Sequence, residues 1–416
     1  MTTRVLAPVD LADPGLYDRG IPQDVFAELR ATPGLVWNAI DGDPDDGFWA
    51  VTRHADVVEV SRDTATYSSA VGHIQIYDID EDALDARASM IDMDPPIHTR
   101  LRRLVSSAFT PRHVQDYRSA IRERVRAALD TLEAAGEGNW VELVAKPIPI
   151  GVICDLMGVP EADHDLMIEL SDHLVAGTSS SPLPADAYDN TTPLRLLPFN
   201  SPAAHGINQY ALDLGERRRH EPADDLITKL IEAEVDGERL TDEEFANFFR
   251  LMIFAGNETT RSSMSHLAMH LVDFAGEFDR VRADDGLLES VAEEVIRYSS
   301  PILYFRRTAT RDCVLAGTPI AAGEKVVMWY SAADFDEAVF DDPLRFDAAR
   351  PTPPANVAFG GGGAHFCLGA SLARLELVEL IDEILARDLR IELVDEPTYV
   401  DSNFVNGVEK LEVRLR

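Results

Sequence analysis

Residues 359–374 read FGGGGAHFCLGASLAR. Four glycines, a histidine and one of the chain's three cysteines stand directly ahead of a helix-periodic stretch, SLARLELVELIDEIL. Cys367 thus falls just before an amphipathic helix whose first turn follows Gly369. Backbone N–H groups at a helix start stabilise negative charge, so a thiolate there is favoured. Glycines ahead of it let the backbone lie flat against a bulky planar ligand, where side chains would collide. A buried structural cysteine is the plainer reading of any single cysteine, and it suits Cys154 in IGVICDLMGV. For Cys367 the glycines and the histidine favour a metal-ligating thiolate.

The rest of the chain sets the frame for that loop. Lys and Arg number 38 against 73 Asp and Glu, a formal charge of −35 over 416 residues. Nucleic acid and anionic membrane surfaces would be repelled and are not expected partners. Cys154, Cys313 and Cys367 are odd in number and far apart, which is no disulfide framework. The N-terminus has no signal-peptide core and no window is apolar enough to span a membrane, so a cytoplasmic protein without membrane insertion is expected. Helical periodicity dominates, most clearly over 118–135, 242–272, 287–299 and 370–387. Strand-like runs are short: FWAVTR at 48–53, EKVVMWY at 324–330 and KLEVRLR at 410–416. Two stretches look irregular, 68–96 and 176–206, the second long enough for a lid or binding loop. With no break in composition, the pattern predicts one mainly α domain with small β-sheets over residues 1–416.

Three further stretches carry chemistry. The apolar helix FANFFRLMIFAGNETTRSSMSHLAMHLV holds Ala255, Gly256, Asn257, Glu258, Thr259 and Thr260 where burial disfavours polar groups. A small-residue gap followed by an acid and a hydroxyl would admit a diatomic ligand and place proton donors beside it. A kinked core helix with a back-bonded threonine is the plainer alternative. In ESVAEEVIRYSSP, Glu294 and Arg297 share a helix face, and Arg345 in DDPLRF is a candidate third member of a charged cluster. DMDPPIHTRLRRLVSSAFTPRH gathers His98, Arg100, Arg102, Arg103, Arg112 and His113 into a basic island in an acidic chain. His98 and Arg102, four apart, can grip one anionic group together.

In this order and at these separations the four pieces resemble the cytochrome P-450 superfamily, from about residue 20 to the end. The resemblance implies a single-domain P-450 fold, a triangular helical prism around a buried haem b (iron protoporphyrin IX). It makes Cys367 the axial thiolate ligand of the haem iron. His98, Arg102, Arg307 and His365 match the positions that bond the haem propionates, with Arg306 a neighbouring alternative to Arg307. Ala255, Gly256, Phe359 and Gly369 would line the cofactor. Glu258 and Thr259 match the acid–alcohol pair that delivers protons for oxygen activation. Glu294, Arg297 and Arg345 match a structural salt-bridge cluster outside the chemistry.

Eight steps separate Phe359 from Cys367, one more than the commonest spacing in the family. That longer loop, with FDEAVFDDP and FVNGVEKLEV, resembles a bacterial subgroup that oxidises sterol side chains and methyl-branched lipids. The implied activity is hydroxylation of an unactivated C–H bond in a bulky hydrophobic substrate, a steroid or branched lipid. Ile302, Leu303, Tyr304 and Phe404 would wall its pocket, with plain core packing as the alternative. Haem chemistry on a terpenoid or polyketide is the second reading, and a haem-thiolate sensor without turnover a third. No fused flavin or iron–sulfur domain is expected. Electrons would come from NAD(P)H through an external reductase and a ferredoxin, docked on a face that includes Arg103 and Arg112.

Overall fold

The computed structural model describes residues 4–40, 42–78, 89–176, 203–234 and 237–416. Counting helices of nine residues or more, α1 is Gln23–Ala31, α2 His54–Arg62, α3 Ile97–Val105, α4 Arg118–Ala135, α5 Pro147–Met157 and α6 His164–Ala176. They continue as α7 Ala203–His220, α8 Asp242–Asp273, α9 Ala275–Ala283, α10 Leu288–Ser299 and α11 Ala370–Ala386. The four helices expected from periodicity are thus present to within a residue at each end.

Helix α8 is the axis of the molecule. Thr241 opens it with a capping box: its hydroxyl accepts the Glu244 N–H, while the Glu244 carboxylate accepts the Thr241 N–H. The helix then runs unbroken for 32 residues. It packs against α5, α6, α7 and α10, so most of its circumference is buried, polar residues such as Asn257, Glu258 and Arg261 included. Helix α4 ends where Gly136 adopts a left-handed φ of 70° and donates to the Leu132 carbonyl at 2.8 Å.

The sheets are small. The largest has β1 (Val36–Ile40), β2 (Asp43–Val51), β3 (Tyr67–Ser68), β5 (Tyr304–Ala309) and β8 (Lys325–Trp329) in the order β1-β2-β8-β5-β3. Only the β2–β8 pairing is parallel. β4 (Glu137–Asn139), β9 (Ile391–Leu393) and β12 (Glu412–Leu415) form a second sheet, and hairpins β6–β7 (Cys313–Leu315, Thr318–Ile320) and β10–β11 (Thr398–Tyr399, Val408–Lys410) complete the set. The three strand-like runs of the sequence fall in β2, β8 and β12.

Of the two stretches expected to be irregular, 79–88 and 177–202 lie outside the described residues. The second expectation ran too far, because Ala203 already starts α7. Among the described residues no helix is long and apolar enough to cross a membrane.

Candidate active site

The cysteine loop closes on itself before α11 begins: the Cys367 N–H donates to the Phe359 carbonyl at 3.0 Å and the Gly360 N–H to Val357 at 2.7 Å. Gly360, Gly362 and Gly363 have φ near +90°, +92° and +79°, backbone that side chains resist. A Cβ on Gly361 would stand 2.8 Å from the Val58 Cα, and one on Gly363 2.6 Å from the Ser61 carbonyl oxygen. The glycines therefore serve the turn and its seat on α2, a different reason from the flat ligand surface expected of them. Cys367 is solvent-accessible although protein surrounds it deeply. Burial pushes its thiol up, against the Gly369 N–H, the Arg102 and Arg374 charges and the Ala370 N–H. The helix start alone does not make this sulfur a thiolate. A bound cation would complete what those groups begin.

Beside the loop sits a cluster of basic groups. The His98 and His365 rings lie 4.2 Å apart, centroid to centroid. Burial, then the neighbouring guanidiniums, push both imidazoles down, His98 to about 4. Arg307 is 3% exposed, and its one hydrogen bond goes to the Arg306 carbonyl at 2.8 Å. Arg306 is spent elsewhere, on Asp78 at 2.6 Å, which leaves Arg307 as the arginine that acts on both histidines. Arg102 donates to the Phe366 carbonyl at 2.6 Å. The His98 Nδ1 is buried with no hydrogen-bond partner. Basic groups converging around an orphaned nitrogen call for an anion, and the accessible Cys367 thiol beside them calls for a metal cation. Haem, with two carboxylates and an iron, fits both demands. Ser69, which the sequence did not single out, joins the cluster with its hydroxyl 3.2 Å from His365 Nε2.

On α8, Ala255, Gly256 and Thr259 are partly exposed in the middle of a buried helix. The Thr259 hydroxyl donates back to the Ala255 carbonyl at 2.8 Å, as in the plainer of the two sequence readings, yet the helix continues unbroken. Gly256 is explained by packing: a Cβ would stand 2.5 Å from Ile153 of α5. Glu258 is 2% exposed and does not hydrogen-bond Thr259. Its Oε2 accepts from Arg261 at 2.7 Å, Arg261 reaches Asp172 of α6 at 3.1 Å, and Asp172 holds Lys146 at 2.6 Å. Lys146 then meets Glu142 at 3.1 Å, whose side chain is 55% exposed. A ladder of alternating charge thus connects the buried carboxyl to the surface. Arg261, three residues after Glu258, was legible by spacing; Asp172 and Lys146 were not.

One expected cluster is corrected. Glu294 does pair with Arg297, at 2.8 Å on both oxygens, but its second arginine is Arg350, whose Nε lies 2.9 and 3.0 Å from the carboxylate. Arg345 is exposed and contributes only a backbone carbonyl to Arg350. The loop turns between them, so the nearer arginine in sequence points outward. Leu303, Tyr304 and Phe404 are 0–3% exposed and pack with Phe48 and Trp329, whereas Ile302 stays partly buried. Phe359 lies under the Arg374 guanidinium, 4.4 Å from its ring centroid, and Gly369 faces open space. Arg103 and Arg112 are exposed, on α3 and just beyond it.

Comparison with known proteins agrees with this geometry. The Cytochrome P450 family profile matches residues 14–405. The methyl-branched lipid omega-hydroxylase of Mycobacterium tuberculosis is 39% identical over 95% of this chain and 91% of its own. The steroid C26-monooxygenase of Mycolicibacterium smegmatis is 35% identical over 99% and 95%. Among solved structures, Mycobacterium marinum cytochrome P450 CYP268A2 in complex with pseudoionone superposes with a TM-score of 0.87 at 38% identity over the full length of both chains.

Proposed function

The chain belongs to the cytochrome P450 family and is a monooxygenase, and we propose that it hydroxylates an unactivated C–H bond in a bulky aliphatic substrate, a steroid or methyl-branched lipid. The observation that carries the substrate class is shared by two relatives of over one-third identity: their names place oxidation at the end of a lipid chain and at C26 of a steroid. One oxygen atom of O2 enters the substrate and the other leaves as water, with two electrons and two protons. We assign the electrons to NAD(P)H through a separate reductase and ferredoxin, which docks on the face of Arg103 and Arg112.

We assign each residue a task that its place supports. Bound haem supplies the iron at which oxygen is activated. Cys367 would hold that iron through its sulfur, while the N–H groups of Gly369 and Ala370 support negative charge on it. His98, Arg102, Arg307 and His365 would hold the propionates. Thr259 presents a hydroxyl that bonds Ala255 and can accept a proton from one side while donating from the other. Burial pushes the Glu258 carboxyl up to about 7, so near neutral pH it both holds and releases a proton. Arg261, Asp172 and Lys146 keep it in line with the surface.

The test is an optical titration of the ferric, haem-loaded protein with a steroid ketone, a methyl-branched fatty acid, a monoterpene and an aromatic acid. A substrate that displaces iron-bound water shifts the Soret band. A tight shift with the steroid or branched lipid supports the reading; a shift with the terpene or aromatic acid alone overturns the substrate class.

A further inference from the structure

Four basic side chains meet at the cofactor site, yet they come from three separate parts of the chain: His98 and Arg102 from α3, Arg307 from β5 and His365 from the cysteine loop. Nothing within any one of these segments fixes its distance from the other two. Their spacing has to be held by contacts between segments.

Ser69 joins all three. It follows Ser68, the last residue of β3, whose register partner in β5 is Thr308, the neighbour of Arg307. Its backbone N–H donates to Asp94 Oδ1 at 2.8 Å, and the Ser68 hydroxyl donates to Asp94 Oδ2. The Asp94 carbonyl in turn accepts the His98 N–H at 3.0 Å, which ties the first turn of α3 to the same residue. On its other side, the Ser69 hydroxyl lies 3.2 Å from His365 Nε2, 296 residues away along the chain. The His365 and His98 rings are 4.2 Å apart, centroid to centroid. The contacts thus close a ring: Ser69 to Asp94, Asp94 to His98, His98 against His365, and His365 back to Ser69.

The hydroxyl needs a reason to be there. Ser69 is 0% exposed, and a buried hydroxyl is costly unless it is bonded. Alanine would fill the same space without that cost. The local turn is served by Ser68 instead, whose hydroxyl oxygen accepts the Ala70 and Val71 N–H groups at 3.1 and 3.0 Å. The partner that accounts for the Ser69 hydroxyl is His365.

We propose that Ser69 is a positioning residue of the haem site: its hydroxyl holds His365 and its N–H holds Asp94 and with it α3, so that the basic groups stand together where the haem carboxylates bind. Its effect on the cofactor runs through His365. The inference rests on the haem reading above and adds to it the residue that fixes the spacing of the cluster.

The experiment uses the haem-loaded full chain and measures transfer of its ferric haem to excess apomyoglobin, followed in the Soret band. Release is compared for wild type, Ser69→Ala, His365→Ala and the double variant. Ser69→Ala should release haem roughly 3- to 10-fold faster than wild type, the scale of one neutral hydrogen bond. In the His365→Ala background the same change should alter release by less than about twofold, because the bond it removes is already gone. Ser69→Cys keeps the side-chain shape with only a weak donor. It runs through the same cycle, should fall between serine and alanine, and takes the place of alanine if that variant does not fold. A hydroxyl needed only for the packing of β3 would give equal acceleration in both backgrounds. That result, or no acceleration in either, overturns the role of Ser69 while the haem reading stands. If wild type takes up no haem, both fall.

Discussion

Replacing Glu258 with glutamine should change how stability depends on pH. Burial raises the Glu258 carboxyl from 4.5 to about 7, Asp172 adds to the rise, and Arg261 and Lys146 oppose it. The folded protein then keeps a proton that the unfolded chain has already released between about pH 4.5 and about pH 7. The stability this provides is complete below about pH 4.5, declines through that window and is lost above about pH 7. A rise from 4.5 to about 7 corresponds to on the order of 3 kcal/mol. With roughly 2.1 cal/mol/K of unfolding entropy per residue, 416 residues give about 0.9 kcal/mol/K. Most of the loss falls between pH 5 and pH 8, so the melting temperature of Glu258→Gln minus that of wild type should grow by about 2–3 °C over that interval. The assay is calorimetry of both haem-loaded proteins at one scan rate. Other buried acids, Asp334 among them, titrate in both and cancel. A difference that stays flat from pH 5 to pH 8 would mean that Glu258 is ionised throughout. The argument that it stores a proton at neutral pH would then be wrong.

Three more outcomes follow from the geometry. Arg350→Met should cost about 3 kcal/mol by leaving the buried Glu294 carboxylate half paired, whereas Arg345→Met should stay within about 0.5 kcal/mol; chemical denaturation of the two variants checks the corrected cluster. Thr259→Ala removes a hydroxyl that bonds only its own helix, so the fold should persist. That variant should still consume reductant while releasing more peroxide and less product, and unchanged coupling would leave Thr259 without a role. Charge reversal at Arg103 and Arg112 should slow reduction by ferredoxin, more at low salt than at high, and leave chemical reduction unaltered. Equal rates in both assays would rule out docking on that face.

Apolar periodicity made the helices readable, and two of them carry an end signal of their own: Gly136 stops α4, and Thr241 with Glu244 opens α8. Cys367 stood out because a lone cysteine after four glycines has few structural explanations. What the sequence did not give was the reason for those glycines. Their neighbour is α2, some 300 residues earlier, and no local pattern announces such a contact. Gly256 is the same case, with Ile153 as the distant partner. The exchange of Arg345 for Arg350 arose from a turn: both arginines are within reach by chain length, and only the fold decides which faces Glu294. Local spacing predicts local pairs, and partners from elsewhere in the chain escape it.

The two demands of the site explain why it is legible at all. Burial pushes down the proton affinity of His98, His365, Arg102 and Arg307, and the two guanidiniums push the imidazoles down further, an arrangement that costs stability unless an anion joins it. Cys367, a few residues away, is disfavoured as a thiolate by burial unless a cation joins it. Asp94 and Asp92 oppose the shift at Arg307, and Asp94 at His98, without overcoming the burial. A single ligand carrying carboxylates at its edge and a metal at its centre answers both.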